Sequence, residues 1–124
     1  MKLLVVDDSA TRRRIVVNSL QRIGFTDVVE ARGGREALDL FDASVGLVIT
    51  DRDLPDPGVP GLARELRARP DGRMVPLLMV TTRGAREDIL AATDAGVSGH
   101  IVAPFTPAAL RERIERLCGA GAAR

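Results

Sequence analysis

The sequence predicts an α/β domain with a doubly wound parallel sheet of five strands and five flanking helices. Two observations carry that reading. Short runs of consecutive apolar residues alternate along the chain with segments whose apolar residues recur at helical spacing. Polar residues, several of them aspartates, follow directly after those runs. A strand buried on both faces needs apolar residues in succession, whereas a strand with one wet face alternates, so the runs specify a sheet covered by helices on both sides.

The elements follow in order. Residues 3–6 are the first apolar run, and Asp7 and Asp8 come next. Ser9 is a suitable N-cap for a helix whose stripe is Ile15, Val16, Ser19, Leu20 and Ile23, with Gly24 as its stop. Residues 28–30 form a weaker second strand, and Ala37, Leu38 and Phe41 mark the second helix. The third run, residues 46–50, ends at Asp51. A Pro-rich loop, PDPGVPG, precedes a third helix built on Leu62 and Leu66. Residues 77–80 make the fourth strand, followed by Thr81 and Thr82. Ile89, Leu90 and Ala92 indicate a fourth helix, with Glu87 and Asp88 near its positive end. The brief run 100–102 is the fifth strand and leads to Ala103 and Pro104. Thr106 caps the last helix, Pro107 takes its first turn, and Leu110, Ile114 and Leu117 line its buried side. Five successive βα units imply right-handed crossovers. The expected domain is 1–118, with 119–124 a short mobile tail.

A chain of 124 residues is one domain long. It buries roughly two-thirds of its unfolded surface and needs no disulfide, which suits the lone Cys118 and a reducing cytoplasm. The net charge of +1 gives no electrostatic signature of nucleic-acid or membrane binding. Three Phe and no Trp or Tyr argue against a site built on aromatic stacking. The apolar start of MKLLVVDD is too short for a signal peptide, and no segment approaches a membrane span. A soluble cytoplasmic domain is expected.

In an open parallel sheet the carboxyl ends of the strands share one edge, where ligands bind. Asp7, Asp8, Asp51 and Thr81 therefore belong to one pocket. Three carboxylates crowded together repel unless a cation sits among them, and hard oxygen donors favour Mg²⁺. Asp51 is then free to act as a nucleophile toward a phosphoryl group, with a threonine hydroxyl donating to one of its oxygens. A single Asp after a strand is more often a helix cap or turn former; the constellation at three strand ends is the specific signal.

The segments LLVVDDSATRR, LVITDRDLP, LLMVTT and HIVAPF resemble the receiver domains of two-component response regulators, especially the single-domain chemotaxis type. The similarity spans essentially the whole chain and implies a flavodoxin-like sheet of order 2-1-3-4-5. It implies that Asp51 is the phosphoacceptor, and that Asp8 and Asp51 are direct Mg²⁺ ligands. Asp7 would hold a metal-bound water, and the Asp53 carbonyl would complete the protein ligands. Thr81 would turn toward the phosphoryl group. A sensor histidine kinase or phosphotransfer protein is the implied donor, with a protein partner downstream. Such a domain catalyses its own phosphorylation and dephosphorylation and is not otherwise an enzyme.

The sequence departs from the family pattern at four places. Ala103 stands where the family carries a lysine, which normally offsets phosphoryl charge. His100 replaces the aromatic switch residue, Asp53 adds an acidic side chain, and PDPGVPG looks about two residues longer than usual. Arg83 is a candidate replacement cation, and Ala103–Pro104 is expected to be cis. Arg86, His100, Arg111 and Arg113 are candidates for a partner face. These departures leave an alternative, a degenerate receiver that binds partners without phosphate. A phosphatase built on Asp51-Arg52-Asp53 is disfavoured, since that motif belongs after a first strand. A flavin carrier is disfavoured because Asp7 and Asp8 would repel its phosphate.

Overall fold

The structure, a computed structural model, describes residues 1–82 and 86–119. Its strands are β1 (Lys2–Val6), β2 (Val28–Ala31), β3 (Val45–Asp51), β4 (Leu77–Thr81) and β5 (Gly99–Val102). Its helices are α1 (Ala10–Arg22), α2 (Gly34–Leu40), α3 (Gly58–Ala68), α4 (Arg86–Ala95) and α5 (Pro107–Cys118). All paired strands run parallel, in the order β2-β1-β3-β4-β5.

The consecutive apolar residues serve two cores because neighbouring side chains on a strand point to opposite faces. Leu4, Val6, Val48, Leu77 and Met79 pack with Leu38, Leu62, Leu66 and Ala92, which places α2, α3 and α4 on one face. Leu3, Val5, Leu47, Ile49, Leu78 and Ile101 pack with Val16, Leu20, Leu110 and Ile114, which places α1 and α5 on the other. The chain leaves β1 toward β2 and then crosses back to β3. Strand order therefore reverses beside β1, and a crevice opens between the carboxyl ends of β1 and β3.

The predicted caps are in place. The Ser9 side chain accepts from the Arg12 N–H and that of Thr106 from the Ala109 N–H. Gly24 follows the end of α1 at φ 100°, a left-handed conformation that glycine adopts without strain. The Ala103–Pro104 bond is cis, as expected, and so is Asp56–Pro57.

Several details differ from the sequence reading. Ile15 is 57% exposed, because the buried face of α1 centres on Val16, Val17 and Leu20. Leu90 is also exposed; Ala92 is the buried residue of α4, and Ile89 and Ala95 pack partly buried against the same core. The segment read as a long loop is partly helical: Gly58 to Gly61 form the first turn of α3. Pro60 is tolerated there because amides in the first turn have no intrahelical acceptor. A 3₁₀ turn at Pro70–Gly72, absent from the sequence reading, follows α3.

Candidate functional site

The register of the central strands builds the site. Val5 pairs with Ile49 and Val6 with Thr50, so the next step of each strand sets Asp7 beside Asp51. Both aspartates continue the parity of the residues facing α1, namely Leu3 and Val5 on β1, and Leu47 and Ile49 on β3. Asp8 follows at the turn into α1. Asp7, Asp8 and Asp51 each offer a carboxylate oxygen, and these oxygens lie within 4.8 Å of one another. Asp7 is buried, Asp51 partly buried and Asp8 exposed. A cavity of about 410 Å³ opens beside them, walled by Val80, Thr81, Ala103, Pro104 and Phe105.

Each carboxylate is held differently. Oδ1 of Asp7 accepts from the Ser9 N–H at 2.8 Å and from Nη2 of Arg12 at 3.1 Å. Its Oδ2 accepts from Nε of Arg12 at 3.2 Å. The same Nη2 lies 3.3 Å from Oδ1 of Asp8 and 3.5 Å from Oδ2 of Asp51. One guanidinium thus touches all three carboxylates. The hydrogen bonds to Asp7 raise the Arg12 pKa further, and the charges of Asp7, Asp51 and Asp8 add to the rise. Burial pushes the Asp51 carboxyl above the usual aspartate range; the Asp53 N–H opposes that rise and the charge of Asp7 adds to it.

Asp53 lies apart from the three. Its side chain is exposed and is gripped by Arg52, whose Nε and Nη2 each donate to one of its oxygens at 3.2 Å. Nη1 of Arg52 also donates to Oγ1 of Thr82 at 3.0 Å, and Nε lies 3.7 Å from Asp88 on α4. The extra acidic charge noted in the sequence is therefore matched by its neighbour. Thr81 is buried in the cavity wall, 2% exposed, and among the described residues its hydroxyl makes only a long contact of 3.5 Å to the Thr82 carbonyl.

The candidate partner-face residues separate. His100 sits half-buried on β5, and its carbonyl accepts from Arg113 at 2.7 Å. Arg111 instead reaches the Ile23 carbonyl at the end of α1, so it tethers α5 to α1 and lies away from β5. Arg86 is exposed at the start of α4, and Arg83 lies outside the described residues.

Sequence reasoning missed Arg12 and Arg52. Arg12 had a legible signal: it lies three residues after the cap Ser9, and side chains on a helix tilt toward its N-terminus. A long cation there reaches back to the strand end that precedes the helix.

The model of the response regulator receiver domain matches residues 3–115. The chain belongs to this family. A chemotaxis protein CheY homolog of Campylobacter jejuni is 45% identical over 123 residues, covering 98% of this receiver and 95% of the relative. Chemotaxis protein CheY1 of Helicobacter pylori strain J99 is 43% identical over 121 residues, covering 96% and 98%. Among solved structures, the Vibrio cholerae chemotaxis response regulator CheY4 matches with a TM-score of 0.83 at 32% identity, covering 94% and 97% of the two chains. The receiver domain of sensor histidine kinase PA1611 from Pseudomonas aeruginosa, with a magnesium ion coordinated in its active-site cleft, matches with a TM-score of 0.82 at 26% identity, covering 95% and 97%. The chain is thus a CheY-like receiver, of the kind that relays signals in two-component systems. No helix among the described residues of this receiver is long and apolar enough to cross a membrane.

Proposed function

We propose that this receiver accepts a phosphoryl group on Asp51 with Mg²⁺ held by Asp7, Asp8 and Asp51, and that Thr81 conveys the change toward His100. The observation that carries the reading is the convergence of those three carboxylates within 4.8 Å at the β1–β3 crevice. The donor set fits the ion, because Mg²⁺ prefers hard oxygen ligands and binds through few carboxylates, waters and phosphate oxygens. The Pseudomonas receiver, whose cleft coordinates magnesium, supports the same assignment here. Asp7 would hold a water of the ion, and the Asp53 carbonyl would complete the protein ligands. When bound, the ion draws negative charge from the incoming phosphoryl oxygens.

The protein's own groups do the rest. The Asp53 N–H fixes one oxygen of Asp51 at 3.0 Å and so sets the direction in which the carboxylate faces. Thr81 on the cavity wall supplies a hydroxyl with no strong partner to give up among the described residues. A phosphorylated histidine of a sensor kinase or phosphotransfer protein is the donor, and a further protein reads the result, in the cytoplasm. The domain catalyses its own phosphorylation and dephosphorylation and turns over no external substrate. Residues 1–118 form the receiver unit, with 119–124 as its tail.

Ala103 is the specific observation that favours a phosphate-independent module instead, because it removes a cation from the cavity wall. Three carboxylates gathered at one rim against a single guanidinium leave a net negative charge that a divalent ion would offset, which argues for retained chemistry. The test is incubation with Mg²⁺ and phosphoramidate, followed by intact-mass measurement. A single phosphoryl adduct, absent in Asp51→Asn, is the expected result; no adduct on the native chain overturns the reading.

A further inference from the structure

We propose that Arg12 is the working cation of this pocket: it competes with a divalent ion for the three carboxylates, and it clamps the phosphoryl group in place of the lysine that Ala103 replaces. The inference rests on the reading that Asp51 is the phosphoacceptor. Its basis is a contact set that no other cation shares among the described residues. Nη2 of Arg12 lies 3.1 Å from Asp7, 3.3 Å from Asp8 and 3.5 Å from Asp51.

Among the described residues the alternatives are committed elsewhere. Arg13 and Arg14 both pair with Glu30 at 2.9 Å. Arg52 grips Asp53 and reaches toward Asp88. Lys2 lies at the opposite end of β1 and faces Asp42 at 3.8 Å. Ala103 contributes only a methyl group to the cavity that Arg12 and Asp51 also line.

Arg12 stands against the field of its own helix. It lies in the first turn of α1, where the dipole disfavours cations, and that turn contains no acidic residue. The carboxylates of the strand ends hold it there. Its side chain is 53% exposed, so the guanidinium has room to swing by a few ångströms without disturbing the core. A planar guanidinium offers paired donors that match phosphoryl oxygens, which an ammonium meets only as a point charge.

In the transfer step an Asp51 oxygen forms the new O–P bond as the P–N bond of a phosphohistidine or phosphoramidate breaks. The bonding pair leaves with the nitrogen, which takes a proton from solvent. Arg12 donates hydrogen bonds to the phosphoryl oxygens throughout and keeps its own protons. The residue therefore acts in opposite senses before and after transfer.

Calorimetric titrations of the full chain separate these senses. The first titrates Mg²⁺ alone; the second titrates beryllofluoride, an acyl-phosphate mimic, at saturating Mg²⁺. Arg12→Gln is expected to bind Mg²⁺ about fivefold more tightly, since a competing ion pair is gone. The same variant is expected to bind beryllofluoride about tenfold more weakly, since charged hydrogen bonds are lost. Arg12→Lys, which keeps the charge and a folded α1, falls between on beryllofluoride and matches the native chain on Mg²⁺. Parallel changes in both titrations, or unchanged beryllofluoride affinity in either variant, overturn the proposal. If the native chain takes up neither ligand, the phosphoacceptor reading fails and this proposal with it. If it takes up both and Arg12→Gln matches it, only this proposal fails.

Discussion

The backbone N–H of Asp53 donates to Oδ2 of Asp51 at 3.0 Å, an Asx-type turn that fixes the carboxylate at the end of β3. That bond favours the charged form, while burial and the neighbouring charge of Asp7 favour the neutral one, and burial prevails. The folded chain therefore holds a proton on Asp51 more tightly than the unfolded chain does. Unfolding releases that proton between the two pKa values, so this group's contribution to stability declines as pH rises from the ordinary aspartate range, about 4, to the raised folded value. Above the folded value the loss is complete and constant. Asp51→Asn removes the slope. We expect it to melt higher than the native chain at neutral pH, with the difference shrinking in acid. Thermal melts across that range check the outcome, and a variant less stable at neutral pH contradicts it.

Divalent metal should act on stability through the same pocket. A ligand that binds only the folded state at a hundred times its dissociation constant adds about 2.7 kcal/mol. Mg²⁺ is expected to raise the melting temperature of the native chain, and a chelator should reverse the rise. Asp8 is exposed, so Asp8→Asn should change metal-free stability by no more than about 0.5 kcal/mol while abolishing most of the Mg²⁺ increment. A full increment in that variant would remove Asp8 from the ligand set.

Much of this was legible from one chain because its local signals agree. Consecutive apolar residues in β1, β3 and β4 specified buried strands, and Ser9, Gly24 and Thr106 fixed helix ends by hydrogen bonding and by left-handed geometry. Parallel topology then carried Asp7, Asp8 and Asp51 to one edge. What escaped is rotational and contextual. Ile15 fits the same stripe as Val16 and Leu20, and only the direction in which α1 meets the sheet decides that Val17 is buried instead. The start of α3 was hidden because prolines and glycines in PDPGVPG signal a loop, although Pro60 is compatible with a first helical turn. Arg12 is one of three consecutive arginines, and residue type alone does not tell them apart. The structure separates them: one faces the carboxylates and two face Glu30.

Far from the pocket, Arg67 and Gly96 form a fastening between α3 and the turn after α4. Nε and Nη2 of Arg67 donate to the Gly96 carbonyl at 3.0 and 2.8 Å, and Nη1 donates to Gly72 and Val75 at 2.8 and 2.6 Å. Partial burial lowers the Arg67 pKa from its usual value. Arg67→Met is expected to cost about 2–4 kcal/mol, since three carbonyls lose charged donors. Gly96→Ala should also destabilise, by about 1–3 kcal/mol, because Gly96 has φ +114° and a Cβ there would lie 2.9 Å from Cγ of Arg67. Urea denaturation measures both. Neither change should shift Mg²⁺ affinity, which makes the pair a control for effects that reach the site only through global stability.

Ala103 offers a direct way to ask whether position or charge matters most in the pocket. Its N–H donates to the Thr81 carbonyl at 2.7 Å, which holds the loop after β5 against the end of β4, and its side chain lines the cavity. Ala103→Lys would bring an amine toward the same phosphoryl oxygens that Arg12 serves. In the native background a second cation adds to the first, so beryllofluoride affinity should rise modestly and Mg²⁺ affinity should fall. In the Arg12→Gln background the amine substitutes for the lost guanidinium, and beryllofluoride affinity should recover most of its loss. Two groups that serve one ligand do not act additively, so the cycle should show a coupling of about 1 kcal/mol or more. Additivity within about 0.5 kcal/mol would mean that the two positions address different atoms, and that the cation in α1 does not stand in for the one missing after β5.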